Sequence, residues 1–110
     1  MDTHHAQSAV DRSVFRAIAD PTRRAILDRL RVGPAPVNEL ASQFEQSRPA
    51  ISKHLRILRE ARIVSEQRQG RERLYRLEPV ELKEISDWIL PYRGFWQASL
   101  GNLKNYLENE

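Results

Sequence analysis

The chemically capable residues of this chain are mostly hydrogen-bond donors, and they fall into two groups. In S-R-P-A-I-S-K-H-L-R (47–56), Ser47, Arg48, Pro49, Ser52, Lys53 and Arg56 lie on or beside one face of a helix, opposite Ile51, Leu55 and Leu58. In R-Q-G-R-E-R-L-Y-R (68–76), Arg68, Arg71, Arg73 and Arg76 cluster about Gly70. Hydroxyl, ammonium and guanidinium groups donate to fixed acceptors, and a guanidinium can engage two at once. That chemistry suits a polyanion better than a reaction. No nucleophile elbow, glycine-rich phosphate loop or paired-acid motif accompanies Ser52 and His54, so no enzyme is expected.

The charge distribution agrees. The net charge is +3, but residues 21–77 hold thirteen Lys/Arg against six Asp/Glu, whereas 1–20 and 78–110 are each net acidic. A basic middle between acidic flanks points to an anionic partner for the middle. With no cysteine among 110 residues, disulfides, thiolate metal sites and iron–sulfur clusters are excluded. No apolar run approaches the roughly 20 residues of a membrane span, and the N-terminus lacks the pattern of a secretory signal, so a soluble cytoplasmic protein is expected.

Local signals arrange these residues on elements. Residues 1–7, with His4 and His5, read as a flexible tail, and 8–110 as one domain. Val10, Val14, Ala17 and Ile18 carry a helical period over 8–19. Asp20-Pro21 reads as a cap and first helical position, followed by Ile26, Leu27 and Leu30. Gly33-Pro34-Ala35-Pro36 stops that helix in a turn. A short helix follows over 37–44, then a tight turn, then a helix capped by Ser47 that runs to about Ala61. Around Gly70 the period changes to that of a hairpin over 64–77.

From 79 onward the apolar residues Leu82, Ile85, Ile89, Tyr92, Trp96, Leu100, Leu103 and Leu107 keep a nearly heptad spacing. Pro91 interrupts it and predicts a kink or break near Leu90, with the stripe resuming in phase. Trp88, Tyr92, Phe95 and Trp96 suit a core or a subunit interface better than a ligand pocket. His54 flanks the buried stripe of its helix and reads as a hydrogen-bonded structural histidine.

Short helix, turn, capped helix and basic hairpin make a winged helix-turn-helix. The expected fold is mainly α with a small β-hairpin, a helical core over 20–61 containing the helix-turn-helix 37–61, and a wing over 64–77. In such a fold the second helix enters the major groove and the hairpin reaches flanking phosphates or the minor groove.

The stretches A-D-P-T-R-R-A-I-L (19–27), E-L-A (39–41), S-R-P-A-I-S-K-H-L-R-I-L-R-E-A (47–61) and R-Q-G-R-E-R-L-Y-R-L (68–77) resemble the ArsR/SmtB-type bacterial repressors. The resemblance implies a homodimer on double-stranded DNA with a palindromic operator. Its first and last helices, 8–19 and 79–110, would form the dimer, which places Val10, Val14, Trp88, Tyr92, Phe95, Trp96, Leu100 and Leu103 at the interface. In relatives of this kind a ligand often releases the DNA, which leaves a place for an unknown small-molecule effector.

Two departures from the pattern carry information. The positions where metal-sensing relatives place cysteines are Pro36, Asn38 and Ala41 here, and none of them can hold a soft metal. The chain therefore resembles a non-metal branch, with no metal and no cofactor expected. Most relatives have glycine where Arg62 follows the recognition helix. Arginine in that left-handed position would cost roughly 1 kcal/mol unless the helix ends differently. Two other readings stay open: a metal-responsive sensor with an oxygen-rich site at Glu81, Glu84 and Asp87, and a winged helix used for protein–protein contacts.

Overall fold

The computed structural model describes residues 14–108. Helix α1 occupies 14–18 of these, followed by α2 (Pro21–Val32), β1 (Ala35–Pro36), α3 (Val37–Gln43), α4 (Arg48–Glu60), β2 (Val64–Gln69), β3 (Glu72–Leu77), α5 (Lys83–Ile89) and α6 (Arg93–Glu108). A 3-10 turn, Pro79–Leu82, leads into α5, and another, Leu90–Tyr92, joins α5 to α6. The tail 1–7 with His4 and His5, the start of the expected 8–19 helix and Val10 lie outside the described residues.

The helix starts are set by side chains that satisfy amides left without a helical partner. The Asp20 carboxylate accepts from the Arg23 amide at 3.0 Å, and Pro21 occupies a position where its missing N–H costs nothing. That donated amide holds the Asp20 carboxyl below the usual carboxylate range. Ser47 caps α4 in the same way, its hydroxyl accepting from the Ala50 amide at 3.3 Å.

One core joins these elements. Ile26, Leu27 and Leu30 of α2 meet Leu40 of α3, Ile51, Leu55 and Leu58 of α4, then Ala61, Ile63, Val64 and Tyr75, all buried. The apolar stripe expected on α4 is the one that enters the core, so the period of 3.6 assigns its faces without ambiguity. The opposite face, with Ser52, Lys53 and Arg56, is exposed.

The sheet corrects the expected hairpin. It has three antiparallel strands in the order β1-β3-β2, and the additional strand is the segment expected to be only a turn. Ala35 pairs with Tyr75 and Pro36 with Leu74. A proline fits there because β1 is an edge strand and needs no donor on its outer side. Two residues carry too little pattern to announce a strand. The partner β3 supplies the ladder.

The hairpin register runs from Val64↔Leu77 to Gln69↔Glu72, which leaves Gly70 and Arg71 as a two-residue turn. Gly70 has φ 64°, and glycine accepts that left-handed geometry at no steric cost.

The C-terminal region stays helical through Pro91. Leu90 has φ −50° and ψ −44°, right-handed helical values despite the following proline. The chain tightens here: the Arg93 amide donates to the Leu90 carbonyl across the 3-10 turn. Pro91 falls in the first turn of that segment, where no donor is missed.

Candidate nucleic-acid interface

Helices α3 and α4 with the turn between them present α4 on the surface, and the wing curls beside its N-terminal half. A cleft of about 310 Å³ lies between them, lined by Arg48 and Ser52 of α4 and by Arg71, Glu72 and Arg73 of the wing. A second, about 460 Å³, continues along α4 and is lined by Pro49, Ser52, Lys53 and Arg56 on one side and Arg73 on the other. The two donor groups of the sequence therefore face common space. Ser47, at the start of α4, is exposed and holds the cap.

Arg68 is the ladder partner of Arg73 on the wing. Like charges directly opposite on a sheet repel. This pair is tolerable in water and favourable beside a polyanion.

Three residues of this face were not picked out by sequence. Glu66 on β2 takes Arg59 of α4 and Arg73 of β3 as ion-pair partners, the latter at 3.5 Å. Tyr75 adds its hydroxyl to Glu66; burial first, then that hydrogen bond, pushes the phenol pKa up. The half-buried carboxylate thus ties the end of α4 to both strands of the wing. The only trace in sequence is a glutamate, one of two in an arginine-rich hairpin. A pairing between Glu66 and Arg59 has no period from which it could be read.

Arg62 resolves the question raised by its position. It has φ 64°, the left-handed geometry that glycine adopts most freely. The helix ends in the matching motif: the Arg62 amide donates to the Arg59 carbonyl at 3.0 Å and the Ile63 amide to the Leu58 carbonyl at 3.1 Å. Leu58 and Ile63, both fully buried, close the apolar contact that usually accompanies this arrangement. The two amide bonds and this burial outweigh a modest steric cost. Arg62→Gly is expected to stabilise the protein by about 0.5–1 kcal/mol, read as a higher denaturant midpoint with an unchanged slope.

The expected interface residues divide in two. Val14 is 1% exposed within the single chain. By contrast, Trp88, Tyr92, Phe95, Trp96, Leu100 and Leu103 are all exposed. Trp88 touches α1 through an edge-to-face contact with Phe15, centroids 5.8 Å apart, and stacks at a tilt on Tyr92. The stripe changes character along its length: Leu82, Ile85 and Ile89 are half-buried, and the apolar side chains of α6 are open.

Among the described residues, no helix is long and apolar enough to cross a membrane. Residues 20–66 match the family described as "Bacterial regulatory protein, arsR family". The chain is 38% identical over 96 residues to the HTH-type transcriptional regulator Rv2034 of Mycobacterium tuberculosis, covering 87% of each. It is 41% identical to the transcriptional repressor SdpR of Bacillus subtilis, over 73% of this chain and 89% of that one. A solved ArsR-like transcriptional regulator from Rhodococcus sp. superposes with a TM-score of 0.69 at 32% identity, covering 91% of this chain and 94% of the other.

Proposed function

Because this chain belongs to the arsR family of bacterial regulatory proteins, DNA-binding transcription regulators and not enzymes, we propose that it works as a homodimeric repressor of a palindromic operator. The observation that carries this reading is the shared cleft, which Arg48 and Ser52 line from α4 and Arg71 and Arg73 from the wing. Ser47, Arg48, Pro49, Ser52, Lys53 and Arg56 form the surface that reads base edges. Arg68, Arg71 and Arg73 engage phosphates or the minor groove. The similarity to a repressor, SdpR, supports repression as the outcome of binding.

The dimer is the finer part of the proposal. It is formed by the N-terminal helix and α5–α6, with Trp88, Tyr92, Phe95, Trp96, Leu100 and Leu103 covered by the partner subunit. A two-fold dimer presents two α4 helices to one face of the duplex, so half-sites about 10 base pairs apart, or a multiple, are expected.

Within the family, the chain sits in a branch that does not sense soft metals. Pro36, Asn38 and Ala41 offer no thiolate, and the chain has no cysteine. A protein-docking role is disfavoured by the Arg68–Arg73 pair, which gains most from a polyanion. Any small-molecule effector would act through the dimer.

The test is selection of bound duplexes from fragmented genomic DNA with the intact protein, followed by titration of the winning duplex. An inverted repeat is expected, bound with the same affinity in zinc and in a strong chelator. Fragments without common sequence would defeat the reading, and a tenfold zinc effect would defeat the branch assignment.

A further inference from the structure

Sequence reading requires that α4 be held in one orientation, and polar bonds to neighbouring elements add to what its apolar contacts fix. Ile51, Leu55 and Leu58 are fully buried and set how deep the helix sits. That stripe also sets which face turns inward, and directional polar bonds to neighbouring elements then narrow the rotation and translation that dispersion contacts leave free. His54, on the inner flank of α4, supplies such bonds.

Both ring nitrogens of His54 are engaged outside α4. Nδ1 lies 3.2 Å from Arg23 Nη1 and Nε2 lies 3.1 Å from Gln46 Oε1. A guanidinium has no acceptor, so Nδ1 must accept and the ring hydrogen sits on Nε2, donating to Gln46. The Gln46 amide then donates to the Thr22 hydroxyl at 2.6 Å. The charged groups facing the ring are Arg23 and Asp20, whose carboxylate is 3.9 Å from Nδ1.

Arg23 continues the chain of contacts into α1. Its Nε donates to the Ala17 carbonyl at 2.7 Å and its Nη2 to the Arg16 carbonyl at 3.0 Å. Both carbonyls lie in the last turn of α1, where the Arg16 carbonyl also accepts from the Ala19 amide at 3.2 Å. One side chain thus binds the end of α1 and the middle of α4, 31 positions away.

We infer that Arg23 and His54 are positioning residues for DNA reading: they hold the α4 face in register with the α1–α2 corner. This rests on the reading of α4 as the recognition helix. Base contacts tolerate displacements of only about 0.5 Å, so loosening this link costs discrimination before it costs general affinity.

The experiment uses the full chain with two probes, the duplex it selects from a random-sequence pool and the same duplex scrambled. His54→Phe keeps a ring but removes both nitrogens. It is expected to lower the ratio of selected to scrambled affinity about tenfold, a typical cost of one impaired base contact, with scrambled DNA bound as before. His54→Asn, whose Oδ1 replaces Nδ1 as the acceptor for Arg23, should restore most of the ratio. Arg23→Met should match His54→Phe, and the double variant should be no worse than the weaker single one.

Should His54→Phe not fold, exposed Gln46→Ala takes its place, with a smaller fall in the same ratio expected. A ratio unchanged in these variants, or affinities for both probes falling in parallel, would overturn the inference. Arg48→Ala separates the two levels. If it lowers the ratio while the His54 and Gln46 variants do not, only the positioning role fails. If it too leaves the ratio unchanged, α4 is not the reader and both fall.

Discussion

Leu100→Glu is expected to convert the protein from a dimer to a monomer at micromolar concentration and to weaken operator binding by two orders of magnitude or more. The reason lies on α6, where Trp96, Leu100, Leu103 and Leu107 are 54%, 66%, 54% and 62% exposed in the single chain. Burying a large apolar side chain is worth about 2–3 kcal/mol, so a partner helix over this stripe offsets the cost of association. A carboxylate in its centre would be desolvated without a partner. Leu100 lies beyond the half-buried part of the stripe, so the fold of the single chain should survive. Deletion of 88–110 should have the same consequence, with added loss of the Trp88–Phe15 contact. A dimer gains about 10²–10⁴ in affinity from tethering its second half-site contact, which the monomer forfeits. Sedimentation equilibrium checks the first claim and operator titration the second. An intact chain that sediments as a monomer at micromolar concentration defeats the prediction.

Arg48→Ala and Arg71→Ala are expected to fail in different ways. Both line the cleft between α4 and the wing, but from opposite walls. Arg48 opens α4, the proposed recognition helix, where a guanidinium can reach base edges. Its loss should cost roughly 1–3 kcal/mol on the operator and relax preference at one or two positions per half-site. Arg71 stands at the tip of the wing beside Gly70, where backbone contact is expected. Its loss should weaken operator and scrambled DNA by similar factors. It should also reduce the salt slope by about one unit per lost phosphate contact. Titrations of both duplexes at several salt concentrations decide the matter. Preference intact in Arg48→Ala but abolished in Arg71→Ala would reverse the two roles.

Much of the fold around α4 and the wing was legible in the sequence because its determinants are local. Ser47 and Pro49 start α4 through contacts within one turn. Ile51, Leu55 and Leu58 assign its inner face by period, and the outer face with Ser52, Lys53 and Arg56 follows as the remainder. Gly70 places the hairpin turn for the same kind of reason, a backbone geometry that one residue type adopts freely. Arg62 was singled out only by the family resemblance, and the helix end explains why its position matters.

Tertiary structure decided what depends on partners distant in the chain. β1 exists because β3 offers an edge to Ala35 and Pro36, and two residues have no period of their own. Val14 had the spacing of an interface residue, yet the single chain already buries it. Glu66 between Arg59 and Arg73, and Arg23 against His54, are directional bonds between side chains on separate elements. Periodicity reports which face of an element avoids water. Which polar group meets which is set only when those faces have packed, because a hydrogen bond needs its two atoms about 3 Å apart and the chain between them does not encode that distance.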